Sequence, residues 1–142
     1  MITTPLLAVD GIVEIYDSQG KFQGITLIQR LNPPLGIALP GGFVDVGETV
    51  EHAVVREMKE ELQLDVTILS LLGVYSDPAR DPRGHTVSVV YICRATGMPQ
   101  GSDDAKEAYL YPPEALPMEQ LVFDHAQILR DYLTRRFGSL LS

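Results

Sequence analysis

Apolar and β-branched residues recur in short runs along the chain, and turn residues separate the runs. This pattern is typical of β-strands. The segments predicted to be strands are 6–16, 24–30, 37–40, 66–75, 86–95 and 107–111. Residues 17–20, Asp-Ser-Gln-Gly, have turn chemistry, so the first two strands are predicted to form a hairpin. Gly41 and Gly42 predict a turn after the third strand.

Two further segments have helical spacing. Segment 49–62 contains no Gly or Pro, and Thr49 is predicted to cap its first turn. Segment 124–137 is predicted to be capped by Asp124. Its apolar residues at helical spacing are Ile128, Leu129, Tyr132 and Leu133. The chain shows no internal repeat or linker, so we predict one α/β domain over residues 1–142, with two helices packed on a mixed sheet.

The first predicted helix carries acidic residues on the side that should be buried. At about 100° per residue, Glu57 and Glu61 point in the same direction as Val54. An acidic run is usually a solvated helix face. The spacing argues against that interpretation here, and like charges four residues apart repel each other. A compensating positive charge is therefore predicted at this end of the helix.

A hard divalent cation is the compensating charge that carboxylate oxygens prefer. Arg56 projects to one side of Glu57 and Glu61, and one guanidinium does not neutralise these two carboxylates together with that of Glu60. Mg²⁺ suits a partly open cluster because it keeps several waters and is shared with substrate phosphates. The sequence also has no D-x-D-x-D-G calcium loop. We therefore predict a Mg²⁺ site, with Mn²⁺ as a substitute.

The composition limits the partners. Eleven basic and 19 acidic residues give a net charge of −8, which argues against binding a nucleic-acid backbone through bare protein charge. An anionic ligand would bind with the help of a cation. The N-terminus does not resemble a signal peptide, and no apolar run is long enough to span a membrane. Cys93 cannot form an intramolecular disulfide, so a reducing cytoplasm is the expected location.

Residues 42–64 resemble the signature of the Nudix hydrolase family. That signature is a glycine, five residues, a glutamate, seven residues and then Arg-Glu-apolar-x-Glu-Glu-x-Gly-apolar. The matching residues are Gly42, Glu48, Arg56, Glu57, Met58, Glu60, Glu61 and Leu64. Gln63 stands where the family has a glycine that ends the helix in a left-handed turn, so the signature does not predict the helix end here. The stretches ALPGGFVDVGE, DPRGHTVSVVY and FDHAQIL also resemble members that cleave ADP-ribose.

The resemblance implies an α/β/α sandwich with a mixed sheet and a glycine-rich loop-helix-loop motif. It also implies Mg²⁺-dependent hydrolysis of a nucleoside diphosphate linked to another group. ADP-ribose, cleaved to AMP and ribose 5-phosphate, is the favoured substrate. The implied metal ligands are Glu57, Glu60, Glu61 and the Gly41 carbonyl. Arg56 is expected to pair with Glu48 and to orient the cluster.

Residues outside the signature are candidates for the general base and for substrate contacts. Asp103, Asp104 and Glu107 follow the long strand, and we favour Glu107 as the base. The loop SDPARDPRGH and the end of the second strand supply guanidinium and imidazole groups that suit phosphate. These substrate candidates are Arg30, Arg80, Arg83 and His85. His85 is more readily interpreted as organising its loop. Phe22 and Tyr75 are candidates for stacking on adenine.

Two alternative functions stay open at this point. The first is hydrolysis of nucleoside triphosphates or dinucleoside polyphosphates by the same site. The second belongs to another class, a non-catalytic module that senses a nucleotide. The presence of all the signature glutamates favours catalysis. The expected partner is a nucleotide sugar, with no nucleic acid and no membrane, and the sequence allows a homodimer.

Overall fold

The computed structural model describes residues 1–101 and 107–138. The strands are β1 (Leu6–Tyr16), β2 (Phe22–Gln29), β3 (Ile37–Ala38), β4 (Gly41–Phe43), β5 (Thr67–Tyr75), β6 (Thr86–Thr96) and β7 (Ala108–Tyr111). The helices are α1 (Val50–Leu62) and α2 (His125–Phe137). Two short 3₁₀ turns, Pro113–Ala115 and Met118–Gln120, connect β7 to α2. Neither helix is long and apolar enough to cross a membrane.

The described strands form one mixed sheet, as predicted. Its main path has the order β3-β2-β1-β6-β5, while β4 pairs with β1 and β7 pairs with β2. The long strands β1 and β6 run parallel, and the other pairs are antiparallel. The predicted hairpin is confirmed, since Glu14 of β1 lies opposite Ile25 of β2.

The two helices cover opposite faces of the sheet. Val9 and Val13 of β1 belong to the same core cluster as α1. Ile12, whose side chain must point to the other face because strand side chains alternate, belongs to the cluster around α2. The apolar residues predicted for the second helix, Ile128, Leu129, Tyr132 and Leu133, are all buried there. The α/β/α sandwich is therefore confirmed, and β1 is its centre.

The sheet divides along β1, which pairs with two different strands. At this division the structure differs from the prediction, because Gly41 and Gly42 do not form a turn. The C-terminal end of β1 pairs with β2, but Ala8–Asp10 pair with β4 instead. The two glycines therefore lie in a strand. A Cβ atom on Gly41 would lie 2.2 Å from the carbonyl oxygen of Val9, so only glycine allows this close pairing.

The ends of the helices confirm the Thr49 cap and the end of α1 at Leu62, and they correct the predicted cap at Asp124. Thr49 caps α1, because its hydroxyl oxygen accepts a hydrogen bond from the His52 amide at 3.1 Å. Gln63 adopts the left-handed conformation (φ 58°, ψ 35°) that the family assigns to glycine, and so α1 ends there without one. Asp124 occupies the first position before α2 but makes no capping hydrogen bond. Its carboxylate binds Arg80 instead.

A buried carboxylate joins β1 to α2 at the end of the sheet far from β4. Glu14 accepts hydrogen bonds from the hydroxyls of Tyr132 at 2.6 Å and Tyr16 at 2.9 Å. The Arg136 guanidinium donates a further bond at 3.0 Å. A buried carboxylate is stable only when its oxygens have such donors. This cluster fixes the position of α2 against the sheet.

We expect Tyr132→Phe to lower the free energy of unfolding by about 1.5–3 kcal/mol, because a buried charged acceptor loses one donor. Urea denaturation monitored by circular dichroism measures the change. Tyr111→Phe is the matched control, since the Tyr111 hydroxyl makes no hydrogen bond within the described residues, and its effect should stay within about 0.5 kcal/mol. Equal effects of the two substitutions would contradict this role for Glu14.

Candidate functional site

A cavity of about 240 Å³ opens where the sheet divides between β2 and β4. β1, β2, β3, β6 and α2 all contribute buried residues, and α1 contributes an acidic side chain. The loop between β5 and β6 forms another wall. The residues that matter for its chemistry are Asp10, Arg30, Glu61, Arg83, Phe123 and His125. The fold thus brings together side chains that are far apart in the sequence.

The acidic side of α1 faces this region, as the helical spacing predicts. The side chain of Glu57 is 13% exposed and residue Glu61 is 6% exposed, whereas the side chain of Glu60 is 57% exposed. A Cβ atom on Gly42 would lie 2.4 Å from the carboxyl carbon of Glu57, so the glycine makes room for the carboxylate. Burial raises the pKa of Glu57 above its ordinary value. The helix therefore holds a desolvated carboxylate against the β4 backbone.

Arg56 joins the acidic residues to the loop before α1. Its Nη1 lies 2.9 Å from Glu57 and 3.3 Å from Glu60. The helical wheel directs Arg56 to one side of Glu57 and Glu61, but its long side chain still reaches the carboxylates of Glu57 and Glu60. The predicted pairing with Glu48 is present, with Nε and Nη2 at 2.7 and 2.8 Å from its two oxygens. These hydrogen bonds hold the pKa of Glu48 well below its ordinary value.

The oxygen donors near Glu57 suit a hard divalent cation. The Glu57 carboxylate lies beside Gly42, and Glu61 lines the same cavity as Gly41, so all the donors are oxygen. Within the described ranges, no three His, Cys, Asp or Glu side chains form a group that could hold a metal ion by itself. A cation here would complete its shell with backbone oxygens, water or substrate oxygens. Mg²⁺ is commonly bound in that way.

Two arginines form the basic side of the cavity. Arg30 and Arg83 place their guanidinium carbons 5.0 and 5.2 Å from the centre of the Phe123 ring. Arg83 also forms a two-point pair with Asp81, at 3.0 and 2.9 Å. Burial, and secondly the charge of Arg83, lower the pKa of Arg30. Two cations held this close to each other favour an anion between them.

The other predicted substrate contacts are Arg80 and His85, of which Arg80 also lines the 240 Å³ cavity. Arg80 is buried, and its Nε and Nη2 bind the Asp124 carboxylate at 2.9 and 2.8 Å, so this guanidinium attaches the loop to α2. His85 is exposed and its Nε2 lies 3.0 Å from the Ser76 carbonyl oxygen. It lines a neighbouring cavity of about 550 Å³ that also contacts Arg83.

The favoured general base does not line the 240 Å³ cavity. Glu107 is exposed, and its carboxylate accepts a hydrogen bond from the Tyr109 hydroxyl. The other two candidates, Asp103 and Asp104, lie outside the described residues. The choice of Glu107 stays a prediction.

Sequence reasoning missed three residues of the cavity. Asp10 lies in a strand that reads as apolar, and only its interruption of that run could have drawn attention to it. Phe123 and His125 lie in the FDHAQIL stretch, whose resemblance we noted without assigning roles. The stacking candidates Phe22 and Tyr75 pack instead against the core around α2.

Comparisons with known proteins agree with this geometry. The NUDIX domain family model matches residues 5–132. The chain is 50% identical over 137 residues to an ADP-ribose pyrophosphatase of Methanocaldococcus jannaschii, covering 94% of this chain and 76% of that protein. It is 32% identical over 139 residues to the ADPR responsive transcriptional repressor NtrR of Acinetobacter baylyi, covering 93% of this chain and 54% of the repressor.

A solved structure gives the same result for the fold. The NUDIX domain of Shewanella oneidensis NrtR, complexed with ADP ribose, superimposes with a TM-score of 0.80 and is 27% identical in sequence. The match covers 94% of this chain and 90% of that one. The relatives therefore include proteins whose names refer to ADP-ribose in both catalysis and regulation.

We expect Gly42→Ala to weaken binding of a divalent cation, because the added Cβ displaces the Glu57 carboxylate. Mn²⁺ titration followed by electron paramagnetic resonance should show a dissociation constant raised about tenfold or more, which corresponds to about 1.4 kcal/mol or more. Gly73→Ala is the control, since its Cβ would make only an ordinary contact 3.5 Å from the Tyr75 ring. Unchanged Mn²⁺ affinity in Gly42→Ala would remove Glu57 from the metal site.

Proposed function

We propose, from the premise that this chain belongs to the NUDIX family, that it is a divalent-metal-dependent hydrolase that cleaves ADP-ribose to AMP and ribose 5-phosphate. The observation that carries the proposal is one cavity with the buried Glu61 carboxylate on the α1 side and two arginines on the other. Such a cavity suits a diphosphate that binds together with a divalent cation. The relative that is 50% identical and named as an ADP-ribose pyrophosphatase supports this substrate.

The acidic side provides the metal ligands. Glu57, Glu61 and the Gly41 carbonyl would hold Mg²⁺, and the more exposed Glu60 would contribute from the edge. When bound, the cation neutralises charge on the phosphates and lowers the pKa of a coordinated water. Arg56 keeps Glu57 and Glu60 in place through its hydrogen bonds. It binds Glu48 with the rest of its guanidinium, which connects the helix to the preceding loop.

The basic side binds the diphosphate. Within the described residues, Arg30 uses only its Nε in a protein hydrogen bond, to the Pro34 carbonyl at 2.8 Å. Its two terminal nitrogens are therefore available to a phosphate. Arg83 keeps Nη1 for the same purpose, since Nε and Nη2 bind Asp81. Guanidinium groups match the geometry of phosphate oxygens, and a pair of them fixes the diphosphate relative to α1.

The proton of the attacking water needs an acceptor, and Glu107 is our proposed general base. Its carboxylate would have to release the Tyr109 hydroxyl and approach the cavity with the substrate bound. Hydrogen bonds of catalytic groups are often long or absent before substrate binds, so the exposed position of Glu107 is compatible with this role.

A sensing function is the second candidate, and the repressor relatives favour it. The relative from Acinetobacter baylyi is described as responsive to ADPR, and this chain spans 54% of its length. A sensor would bind ADP-ribose and leave it intact. The three carboxylates on α1 favour hydrolysis, because binding alone does not require a site that activates water.

We expect Glu61→Gln to reduce kcat for ADP-ribose by about 100-fold or more, because the neutral amide weakens a metal ligand. Product formation is measured by chromatography with Mg²⁺ present, and AMP should appear in wild type. Glu51→Gln is the matched control on the same helix, since Glu51 is exposed. Full activity of Glu61→Gln would exclude the metal assignment.

The same panel separates the alternative functions. Faster cleavage of a nucleoside triphosphate or a dinucleoside polyphosphate than of ADP-ribose would assign the site to the other hydrolase class. If wild type cleaves none of these substrates while ADP-ribose raises its melting temperature, the chain is a sensor.

Arg30→Gln should raise KM for ADP-ribose by about 10- to 100-fold, because the diphosphate loses hydrogen bonds from a charged group. Initial rates over a range of substrate concentrations measure this. The control is Arg94→Gln, which removes an arginine that stacks on Tyr16 at 3.9 Å, outside the residues that line the cavity. A fall in kcat with no change in KM would contradict a binding role for Arg30.

A further inference from the structure

The buried end of the cavity contains a carboxylate and an imidazole that the proposed reaction does not use. Asp10 of β1 is 9% exposed and His125, the first residue of α2, is 3% exposed. Both line the cavity that contains Arg30 and Arg83. Polar side chains this deeply buried require partners.

The His125 ring presents a hydrogen-bond donor to the cavity. The Leu39 amide donates to Nδ1 at 3.0 Å, so the proton of the neutral ring is on Nε2. Burial lowers the pKa of His125, which favours this neutral form. Nε2 lies 3.9 Å from Oδ2 of Asp10, beyond hydrogen-bond distance, and makes no hydrogen bond within the described part of the chain. His125 lines the cavity, so its Nε2 donor can meet a ligand there.

Asp10 presents the complementary acceptor. Its Oδ2 accepts a hydrogen bond from the Ser88 hydroxyl, which is also buried. Its Oδ1 faces the position where a Cβ of Gly41 would lie, at 2.3 Å. No lysine or arginine of the described residues forms an ion pair with Asp10. A carboxylate accepts several hydrogen bonds, so Asp10 has capacity left for a ligand.

We propose that Asp10 and His125 together bind a sugar hydroxyl of the substrate, and that this contact selects sugar-linked diphosphates. The inference rests on the proposed hydrolysis of ADP-ribose. A hydroxyl is both a donor and an acceptor. An oxygen about 2.8 Å from each group can accept from Nε2 and donate to Oδ2, and the 3.9 Å gap leaves that geometry open.

The charge of Asp10 explains the selectivity. Arg30 and Arg83 attract phosphate groups, so they alone would accept a triphosphate as readily as a diphosphate linked to a sugar. A further phosphate placed beside the buried Asp10 carboxylate would meet a like charge in a desolvated site, where repulsion is strong. A hydroxyl at the same place gains a hydrogen bond. The pair therefore favours one class of substrate and disfavours the other.

A purely structural role is the competing explanation, since the pair also lies between β1 and α2. A structural defect would reduce catalysis on every substrate by a similar factor. A binding role predicts a change in the ratio of kcat/KM between substrates that have the hydroxyl and substrates that lack it. That ratio is the decisive measurement.

The experiment compares Asp10→Ala and His125→Gln with wild type on four compounds. These are ADP-ribose, ADP linked to a simple alkyl group, ADP-ribose with 2′-deoxyadenosine, and ATP. We expect each variant to lose about 10- to 100-fold in kcat/KM on ADP-ribose, with little change on the compound that lacks the recognised hydroxyl. If the alkyl compound is the one that shows little change, the recognised hydroxyl belongs to the terminal ribose. If the deoxy compound shows little change, the hydroxyl belongs to the adenosine ribose. Asp10→Ala should also cleave ATP better relative to ADP-ribose.

The control is Glu14→Gln, which changes the next carboxylate along β1, four residues after Asp10 and on the same face of the strand. Glu14 is buried, but its partners are Tyr16, Tyr132 and Arg136, outside the cavity. It should lower the melting temperature and leave the substrate ratio unchanged. Equal losses on all four compounds in the Asp10 and His125 variants would overturn the proposal.

Calorimetric binding separates this proposal from the proposed function. If wild type hydrolyses nothing, ADP-ribose affinity relative to the alkyl compound still reports hydroxyl recognition. A loss of that preference in Asp10→Ala supports the hydroxyl site even when hydrolysis is absent. If wild type hydrolyses ADP-ribose and both variants keep the wild-type preference for ADP-ribose over the alkyl compound, the hydroxyl site is refuted. The assignment as an enzyme then stays intact.

Discussion

The hydrogen bonds of Arg56 are the interaction on which the acidic site depends. One guanidinium contacts Glu48, Glu57 and Glu60, and a further bond reaches the Phe43 carbonyl at 3.1 Å. Without a cation nearby, carboxylates one turn apart on a helix repel each other, and burial increases the cost for Glu57. Arg56 offsets part of this repulsion and connects α1 to the strand and loop that precede it. The acidic groups are thus arranged before any ligand binds, which would reduce the free-energy cost of binding a cation there.

The division of the sheet along β1 creates the space that this site serves. Because β1 pairs with β2 at one end and with β4 at the other, the segment between β3 and β4 crosses from one neighbour to the other. The close approach of Gly41 to β1 and the contact of Gly42 with Glu57 both require the absence of a side chain. The same two glycines therefore close the sheet and place α1 beside the cavity. Fold and site share these positions, so substitutions there affect both.

Much of the fold could be predicted from the hydrophobic periodicity of the sequence. The cavity could not, because it depends on contacts between residues that are far apart in the sequence. The apolar run of β1 and the spacing of α2 predict their elements because alternation and helical spacing reflect which face is buried. The signature also places Glu57 and Arg56 correctly, since those residues share one helix. Gly41 and Gly42 look like a turn because their pairing partner in β1 is about 30 residues away in the sequence. Asp124 looks like a helix cap, but a buried arginine from another loop competes for its carboxylate.

The cavity also shows how a chain of net charge −8 can bind an anion. Its walls carry both signs of charge, and Arg83 already pairs with Asp81. Arg30 and Arg83 lie against Phe123, whereas Glu61 lines the cavity from the α1 side. Net charge governs long-range attraction, but a ligand inside a cavity responds to the few groups around it, where water screens less. A cation bound at the α1 carboxylates, together with Arg30 and Arg83, would offset the overall charge inside the cavity.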